Sequence, residues 1–475
     1  MLQKPPDVLA RDVEWSQLVR LSASPTPELA FVLGRRRIGK SYLLARFARA
    51  VDGIYYQATR RTAREQLQSF GRVVGKHFGD SALSSGAGFS DWTTLLDYIT
   101  AAAGTRSLVI VLDEFPYLSD VDPALTSIFQ RFWDHDLADT RIKIVLSGSY
   151  ASAMRQLERT DQPLYGRRTA RIKFGPLRVD EAAEFYPAWS TADKLLAYGI
   201  FGHLPGNLSL IRPAETLAAN VQRVVLDPSG RLADDALHLL DAFTAEAAVH
   251  YSIIEGVANG DTTWKKLTSR VGRSGGALSR PLAYLEGMDL LERRVPIIEA
   301  KPDRSKRVRY ELTDPYLSFY HRIVAPLVHS GSLGLVPPDA LWEESIAPQL
   351  PDHMGGVFEA MCRAYLRAGF ADLPFRGFRV GGWWEGEVEV DVAVTGLRNQ
   401  DLAVGEAKWG AFTSRHLATL RRRAARVAEV LGGGAQAPTL LAFSGSGRFE
   451  GVDAVPDDGS VRTFSGEDLV RAVRG

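Results

Sequence analysis

The segment Gly34-Arg-Arg-Arg-Ile-Gly-Lys-Ser41 constrains this 475-residue chain more than any other feature, because it matches the phosphate-loop pattern in full. It lies between a short apolar strand, Leu29 to Leu33, and a predicted helix, Ser41 to Ala50. Glycines at such a turn let backbone N–H groups point inward at phosphate oxygens, and the helix N-terminus adds its dipole. The segment predicts a P-loop for a nucleoside triphosphate, with an ordinary Gly-bounded turn as the alternative.

Residues of this loop have distinct predicted roles. The Lys40 ammonium is expected to reach the β- and γ-phosphates, and the Ser41 hydroxyl is expected to bind Mg²⁺. The other predicted nucleotide contacts in the loop are Gly34, Arg35, Arg36, Arg37, Ile38 and Gly39. The loop by itself is compatible with either ATP or GTP.

An acidic pair follows a second apolar strand. The run Leu108 to Leu112 ends in Asp113 and Glu114, and open α/β sheets bind their ligands at the carboxyl ends of strands. We predict that Asp113 holds Mg²⁺, directly or through water, and that Glu114 polarises the attacking water as a general base. A strand-end acidic pair that only faces solvent is the alternative.

Two further polar positions follow in the same part of the chain. Ser147-Gly-Ser149 comes after a third apolar strand, Ile142 to Leu146, where a hydroxyl can sense the γ-phosphate or orient water. Arg167 is a cation that can meet phosphate from a neighbouring subunit, which would imply a homo-oligomer. Solvated loop serines and a surface salt bridge are the respective alternatives.

The order of apolar patterns predicts a multi-domain α/β protein. Short aliphatic strands separated by helical stretches indicate a parallel sheet covered on both faces. Helical spacing follows from Asp180 to Leu232, and three helices with two short strands then give the order of a winged helix-turn-helix. The predicted domains are a P-loop NTPase core at 1–178, a helical lid at 179–236, a winged helix-turn-helix at 237–326, a linker at 327–345 and a final α/β domain at 346–475.

Composition limits the classes of partner. A net charge of +1 gives no overall attraction to nucleic acid or membrane, so any such attraction has to come from local patches. The single cysteine, Cys362, excludes an internal disulfide and a thiolate zinc cluster. Neither a membrane-spanning apolar run nor a signal-peptide core is present, which predicts a cytoplasmic protein without a membrane partner.

A local basic patch coincides with the predicted winged region. Between Lys265 and Arg309, twelve Lys and Arg residues stand against five Asp and Glu residues. Clustered cations release counterions from a phosphate backbone, which predicts DNA as a partner. The predicted nucleic-acid contacts are Lys265, Lys266, Arg280, Lys306 and Arg307.

The elements of this winged region follow from the same pattern. A helix from Gly276 to Met288 is the expected groove reader, and the wing is expected from strands Leu291 to Ile298 and Arg307 to Leu312. The alternative is a winged helix that packs against other domains or subunits.

Near the C-terminus, an alternating strand and its neighbour bring acidic and basic residues together. Residues two apart on a strand share a face, so Asp391 on Val388 to Val394 is expected beside Glu406 and Lys408 on the next strand. Two carboxylates can chelate a divalent metal, while a lysine stabilises or deprotonates the attacking water. Glu359, on a preceding helix, is predicted to complete the metal shell. A surface salt-bridge hairpin is the alternative.

The first half of the chain resembles archaeal-type ATPases of the STAND branch of AAA+. Besides the P-loop and the acidic pair, the resemblance rests on Asp113-Glu-Phe-Pro-Tyr117, Leu164-Tyr-Gly-Arg-Arg-Thr169 and Gly202-His-Leu-Pro205. It implies ATP in preference to GTP, packing of Pro205 against adenine, and a role for Arg11 as the N-terminal arginine element. Here Phe201 precedes Gly202 where that family usually has a double glycine.

The final domain resembles the PD-(D/E)XK restriction-endonuclease-like fold. The order of helical Glu359, strand Asp391 and then Glu406-Ala-Lys408 carries the resemblance, together with the lead-in Gly381-Gly-Trp-Trp-Glu385. It implies an ATP-controlled nuclease that hydrolyses DNA with Mg²⁺ or Mn²⁺. The alternative is an ATPase switch or DNA-binding regulator whose nuclease-like domain is a non-catalytic binding module.

Overall fold

Continuous aliphatic runs form a five-stranded sheet in the first part of the chain. In the computed structural model, which describes residues 2–148, 151–239, 247–272, 275–397, 401–431, 437–452 and 460–471, the chain divides into two units, Met1–Pro176 and Leu177–Gly475. The sheet of the first unit is parallel throughout, in the order β2-β3-β4-β1-β5. Its strands are β1 (Glu28–Leu33), β2 (Ile54–Gln57), β3 (Ser107–Asp113), β4 (Arg141–Gly148) and β5 (Ala170–Lys173).

Helices connect these strands and cover the sheet. They are α1 (Asp12–Ser22), α2 (Lys40–Ala50), α3 (Ala63–Phe78), α4 (Ser81–Ser85), α5 (Trp92–Ala103), α6 (Pro116–Val121), α7 (Leu125–Arg131) and α8 (Ala151–Gln156). The core includes Phe31, Ile110 and Ile144 from the sheet and Phe70 and Leu95 from helices. The predicted parallel sheet is confirmed, and β2 and β5, at four residues each, are additional strands that the sequence patterns did not indicate.

The second unit begins with short helices. These are α9 (Val179–Ala182), α10 (Thr191–Phe201), α11 (Pro205–Leu208) and α12 (Leu217–Val221), where a helical lid was predicted. Three further helices and an antiparallel pair follow: α13 (Ala247–Ala258), α14 (Trp264–Val271), α15 (Ser279–Gly287), β6 (Leu291–Arg294) and β7 (Arg309–Leu312).

Both wing strands are shorter than predicted, and the helix before them begins later. β6 ends at Arg294 instead of Ile298, since Pro296 has no backbone N–H to continue the ladder. β7 begins at Arg309. Residues 275–278 form a 3₁₀ turn, so α15 begins at Ser279 instead of Gly276.

The predicted linker at 327–345 is partly helical. After α16 (Pro315–Phe319), the chain forms α17 (Ala325–His329), α18 (Pro338–Ala340) and a π-helical segment, Leu341–Ile346, whose two terminal residues are buried. Burial of these apolar side chains makes the segment part of the packed unit.

A mixed five-stranded sheet organises the last part of the chain, in the order β14-β12-β10-β9-β8. β8, β9 and β10 pair antiparallel, whereas β12 and β14 extend the sheet in parallel. The remaining elements are α19 (Leu350–Arg367), β8 (Arg379–Glu385), β9 (Val388–Thr395), β10 (Leu402–Lys408), β11 (Phe412–Thr413), α20 (Ser414–Val430), β12 (Thr439–Ser444), β13 (Phe449–Glu450), β14 (Val461–Ser465) and α21 (Gly466–Val470).

Membrane insertion of a helix finds no support in the structure. Over the described ranges, no helix combines the length and the apolar character required to cross a bilayer.

Candidate functional sites

The P-loop forms the turn between β1 and α2. Gly39 has a φ of 91°, a conformation that side-chain-bearing residues rarely adopt, and it lies directly before α2. At Gly34, a Cβ atom would lie 2.9 Å from Phe174 Cβ, so only glycine lets the loop pass so close to the segment after β5. Glycine is therefore required on steric grounds at both positions, Gly34 and Gly39.

Lys40 lies on the inner side of this turn. Its Nζ donates hydrogen bonds to the carbonyl oxygens of Gly34, at 2.6 Å, and Arg35, at 3.1 Å. Only 3% of the residue is exposed, and this burial lowers its pKa to about 8, although the nearby Glu114 and Asp113 carboxylates oppose the shift. The side chain is a buried cation at the mouth of the loop, where a phosphate would meet it.

Asp113 ends β3 fully buried, and its carboxylate is already oriented. Tyr55 on β2 donates its hydroxyl proton to Oδ2 at 2.8 Å, and the Glu114 N–H donates to Oδ1 at 3.1 Å. Burial and the Asp113 charge both raise the pKa of Tyr55, which keeps the phenol protonated as a donor. Glu114 has a φ of 54°, so the chain turns sharply directly after Asp113.

Ser147 lies at the carboxyl end of β4, between β3 and β1. Its Oγ is buried and makes no hydrogen bond within the described residues. A buried hydroxyl without a partner requires an explanation, and a ligand at this sheet edge would supply one. Ser149 lies outside the described residues.

Arg167 is held inside its own unit. It forms a two-point ion pair with Asp134, with both N–O distances at 2.8 Å, and a further hydrogen bond to the Pro163 carbonyl. This is the salt-bridge arrangement that the sequence left open for the residue. An arginine finger acting on a neighbouring subunit would have to give up these contacts.

Arg11 supports the P-loop from outside. Its guanidinium is buried and donates to the carbonyl oxygens of Ile38, at 2.9 Å, and Gly175, at 2.8 Å, while it also pairs with Glu14. The resemblance singled out Arg11, and the structure gives it a physical task, which is to fix the main chain of the loop.

The residues of this edge fit a magnesium nucleotide. Lys40 supplies a buried cation for phosphate, and Asp113 supplies a pre-oriented carboxylate. Ser147 supplies a buried hydroxyl that has no hydrogen-bond partner among the described residues. Ser41 is the first residue after Lys40 on α2 and lies close enough to Tyr55 to affect its pKa. Ser41 and Asp113 would hold Mg²⁺.

Pro205 lies in the second unit, at the first position of α11. The preceding Gly202 has a φ of 76°, and a Cβ there would lie 2.3 Å from Asp314 Oδ1. Glycine is therefore required at position 202, where the chain packs against Asp314.

The C-terminal carboxylates meet as the strand pattern predicted. Val392 pairs with Gly405 across β9 and β10, which places Asp391 beside Glu406. Asp391 Oδ2 accepts a hydrogen bond from the Ala407 N–H at 2.9 Å. Lys408 Nζ lies 2.8 Å from Glu406 Oε1.

A cation from α20 also reaches this cluster. Arg423 lies 2.5 Å from Glu406 Oε2, so both oxygens of the buried Glu406 carboxylate face cations, Lys408 on one side and Arg423 on the other. The structure thus places Arg423 inside the cluster.

Glu359 on α19 lies close enough to Asp391 for the charges of the two carboxylates to interact. Burial, and then the charge of Asp391, raise its pKa to about 8, while burial and Glu406 raise the pKa of Asp391 to about 6. Arg363, one helical turn on, approaches Glu359 at 3.6 Å. In the part of the chain that the structure describes, no three or more His, Cys, Asp or Glu side chains form a group able to hold a metal ion. The predicted metal shell of Glu359, Asp391 and Glu406 is therefore not assembled among the described residues, since both oxygens of Glu406 already face Lys408 and Arg423. Asp391 and Glu359 are the carboxylates that remain for a divalent cation.

The predicted DNA contacts fall into two classes. Lys265, Lys266, Arg280 and Lys306 are exposed. Arg307 instead pairs with Glu299 at 3.0 Å and approaches Glu385 of β8 at 3.9 Å. Its neighbour on the wing, Arg309, contacts Glu389 and lies over the Trp384 ring, with its guanidinium carbon 4.6 Å from the ring centroid. Part of the wing charge is therefore engaged by the C-terminal sheet.

Two further residues were not found from the sequence. Tyr55 was not predicted because β2 is too short to be recognised as a strand from the sequence. Glu311 on β7 was not predicted because its partner Arg363 lies 52 residues further along the chain, although Arg363 Nη2 is 2.6 Å from Glu311 Oε1 in the folded protein. Neither position carries a local motif, and only long-range pairing reveals them.

Two family models match this chain, one over the first unit and the beginning of the second, the other within the second unit. Residues 9–211 match the model of an ATPase domain found predominantly in Archaea, and residues 320–420 match a family described as archaeal and bacterial proteins of unknown function. An uncharacterized protein of Methanocaldococcus jannaschii is 26% identical over 410 residues, covering 85% of this chain and 88% of that protein.

A solved structure shows the fold. The Walker-type ATPase of Pyrococcus abyssi shares 20% sequence identity with a TM-score of 0.51, and the match covers 67% of this chain and 97% of that one. Together with the P-loop, the buried Asp113 and the family match, this similarity identifies a nucleotide-binding domain. The chain therefore carries an archaeal-type P-loop ATPase domain, followed by a separate β-rich C-terminal part.

Proposed function

We propose that this protein is an ATP-controlled, metal-dependent nuclease. The observation that carries the proposal is the meeting of Asp391, Glu406 and Lys408 on adjacent strands, with Glu359 from α19 coupled to Asp391 by charge. Acidic groups and a lysine in this order are the components of a PD-(D/E)XK hydrolytic site. Asp391 and Glu359 are partly buried carboxylates whose charged forms a bound divalent cation would stabilise.

The residues of the proposed hydrolytic site would have distinct roles. Asp391 and Glu359 would hold Mg²⁺ or Mn²⁺, which supplies Lewis-acid activation of water when bound. Lys408 would orient the attacking water or stabilise the charge that develops on phosphate. Glu406, held by Lys408 and Arg423, keeps the lysine in place beside Asp391.

The ATPase site would act as the control. Lys40 binds phosphate, Ser41 and Asp113 hold the metal, Glu114 activates water and Ser147 reports on the γ-phosphate. Nucleotide can control another activity only by binding two conformations of the protein with different affinity. We further propose that Pro205 packs on adenine, in keeping with the family resemblance, and that the chain self-associates.

A cleavage assay with one substitution and one control tests the proposal. Wild-type protein is incubated with single- and double-stranded DNA and RNA, with Mg²⁺ or Mn²⁺, and with or without ATP. We expect cleavage that Asp391→Asn abolishes while ATP turnover persists, and that Asp372→Asn, at an exposed carboxylate, leaves intact. Equal cleavage by wild type and Asp391→Asn would contradict the proposal.

A second function is favoured by the pairing of Glu406. Because Lys408 and Arg423 already take both of its oxygens, the cluster also suits a stable, non-catalytic module on an ATPase switch. This alternative predicts nucleotide-dependent association with DNA and no cleavage with either metal. A mobility-shift assay in the cleavage buffer, with and without ATP, separates the two functions.

We propose that DNA meets the winged region through its exposed cations. Lys265, Lys266 and Arg280 are exposed at the start of α14 and of α15, whereas Arg307 is engaged within the chain. Charge reversal at Lys265 and Lys266 should weaken DNA binding and reduce its salt dependence, because each lost phosphate contact lowers the slope by about 0.9. Reversal of Lys306 should have a similar effect. An unchanged salt slope would instead support a packing role.

A further inference from the structure

A cleft of about 580 Å³ opens in the second unit beside Glu359. One wall contains the end of α13 with the turn that follows it and β7, and the other contains the middle of α19. Glu359 lines the cleft and also belongs to the carboxylate cluster with Asp391. The cleft therefore extends from exposed residues such as Gly260 and Arg322 to Glu359, which is the residue of the proposed hydrolytic site that lines it.

The walls of this cleft present several guanidinium groups. Arg294, Arg309 and Arg322 line it. Of its carboxylates, Glu311 contacts Arg294 and also Arg363 behind the wall, and Glu389 contacts Arg309. Three arginines and three carboxylates therefore line the cleft, the third carboxylate being Glu359. Guanidinium groups donate paired hydrogen bonds that suit phosphate oxygens, so these arginines can contact a phosphodiester backbone.

The size of the cleft decides which form of nucleic acid it suits. Its volume lies within the roughly 300–1,000 Å³ typical of sites that enclose a small molecule or short segment. A B-form duplex, whose major groove alone admits a whole α-helix, is much larger than a space of this volume. One unpaired strand can thread between the two walls and present a phosphate to Glu359.

We propose that this cleft seats a single nucleic-acid strand and delivers its backbone to the Glu359–Asp391 cluster. The delivery step rests on the proposed nuclease function, whereas the binding step does not. The substrate class is then an unpaired end, flap or single-stranded segment, and duplex without ends or gaps is a poor ligand.

Two adjacent glycines on α19 provide a matched pair of substitutions. Gly356 lines the cleft, and a Cβ added there meets no atom within 4 Å, so a large side chain can enter the open space without a clash. Gly355 is equally unobstructed but does not line the cleft. Replacing helical glycines is also compatible with α19, because glycine is a weak helix former.

Binding is measured first, in the full chain carrying Asp391→Asn so that the probe stays intact. Fluorescence anisotropy follows a short labelled oligodeoxythymidine, an oligouridine of equal length and a blunt duplex. We expect the single strands to bind more tightly than the duplex, Gly356→Phe to weaken this binding by about tenfold or more, and Gly355→Phe to stay within about twofold. Arg322→Glu should weaken binding and flatten its salt dependence. Equal effects of the two glycine substitutions, or preference for duplex, would overturn the proposal.

Cleavage by the same substitutions in the otherwise wild-type chain separates the two proposals. Single-strand binding that Gly356→Phe blocks, in a protein that cleaves nothing, upholds the cleft and rejects the nuclease function. Cleavage that depends on Asp391 but is unaffected by Gly356→Phe rejects the cleft and upholds the nuclease. If Gly356→Phe loses cleavage while Gly355→Phe retains it, and ATP turnover is unchanged in each, the result supports both the cleft and the nuclease function.

Discussion

Arg11 Nη2 donates a hydrogen bond to the carbonyl oxygen of Ile38 over 2.9 Å, so a residue ahead of the first helix fixes the main chain of the phosphate loop. The same guanidinium holds the Gly175 carbonyl and Glu14. A planar five-donor group can satisfy three acceptors that lie in different directions, whereas an ammonium on a flexible stem cannot do so with the same geometry. The shape of the P-loop thus depends on a side chain outside the motif.

Arg11→Lys should therefore weaken nucleotide binding with little change of charge. Loss of one or two charge-assisted hydrogen bonds, about 1.5–3 kcal/mol each, corresponds to at least a tenfold rise in Kd. Titration of a fluorescent ATP analogue measures the change. Arg20→Lys, at an exposed arginine of α1, should bind as wild type does, and similar affinities for both variants would refute this role.

Tyr55→Phe should impair ATP turnover by changing the environment of Asp113. Removing the hydroxyl leaves the buried carboxylate with one donor fewer, and loss of a group that orients a metal ligand typically costs about 10–100-fold in metal affinity or activity. The expected signature is a higher Mg²⁺ concentration at half-maximal turnover. Tyr56→Phe is the control, because that hydroxyl contacts Gln66 instead. The idea fails if the Mg²⁺ dependence of Tyr55→Phe matches that of Tyr56→Phe.

Arg363→Met should destabilise the second unit strongly. Arg363 is buried and pairs with Glu311, so its removal leaves that partly exposed carboxylate to Arg294 alone. Breaking one side of a fully buried pair costs about 3–5 kcal/mol, and the remaining Arg294 contact places the expected loss near the lower end of that range. Arg367→Met, one turn further along α19 in a half-exposed pair with Glu292, should cost no more than about 1 kcal/mol. Urea unfolding monitored by tryptophan fluorescence compares the two, and equal losses would contradict the assignment.

Stability should fall on acidification because two buried histidines resist protonation. Burial lowers the pKa of His321 and of His353 from 6.5 to about 4 each. Between pH 6.5 and pH 4 the unfolded chain binds more protons at these histidines than the folded chain does. The free energy of unfolding therefore decreases as pH falls from about 6.5 to 4, and above pH 6.5 these two groups have no effect on it. Each histidine can contribute about 3 kcal/mol across it.

His321→Leu should reduce this pH dependence by about half of the histidine contribution, since it removes one of the two titrating groups. His321 Nε2 makes no hydrogen bond within the described ranges, so leucine leaves no partner unsatisfied. Unfolding free energies at pH 5 and pH 7 give the difference. His135→Gln, at an exposed histidine, should retain the wild-type slope; an unchanged slope in His321→Leu would show that this histidine titrates normally.

The sequence by itself determined the features whose signals are local. Gly34 to Ser41 identifies the P-loop because the tight turn requires glycine at two positions and phosphate and metal binding require Lys40 and Ser41. Period-two alternation places Asp391, Glu406 and Lys408 on one sheet face, because neighbouring side chains on a strand must point in opposite directions. Aliphatic runs predict the buried strands for a similar reason, as both faces of a parallel sheet exclude polar residues.

Only the tertiary structure decided which distant groups share a site. Arg11 reaches Ile38, Tyr55 reaches Asp113, and Arg363 reaches Glu311 across gaps in sequence that carry no periodic signal. The same holds for charge: Arg307 and Lys306 are neighbours in sequence, yet one is held by Glu299 while the other is exposed. Burial and ion pairing depend on what the folded chain packs against a residue, and this information is absent from the residue's own segment.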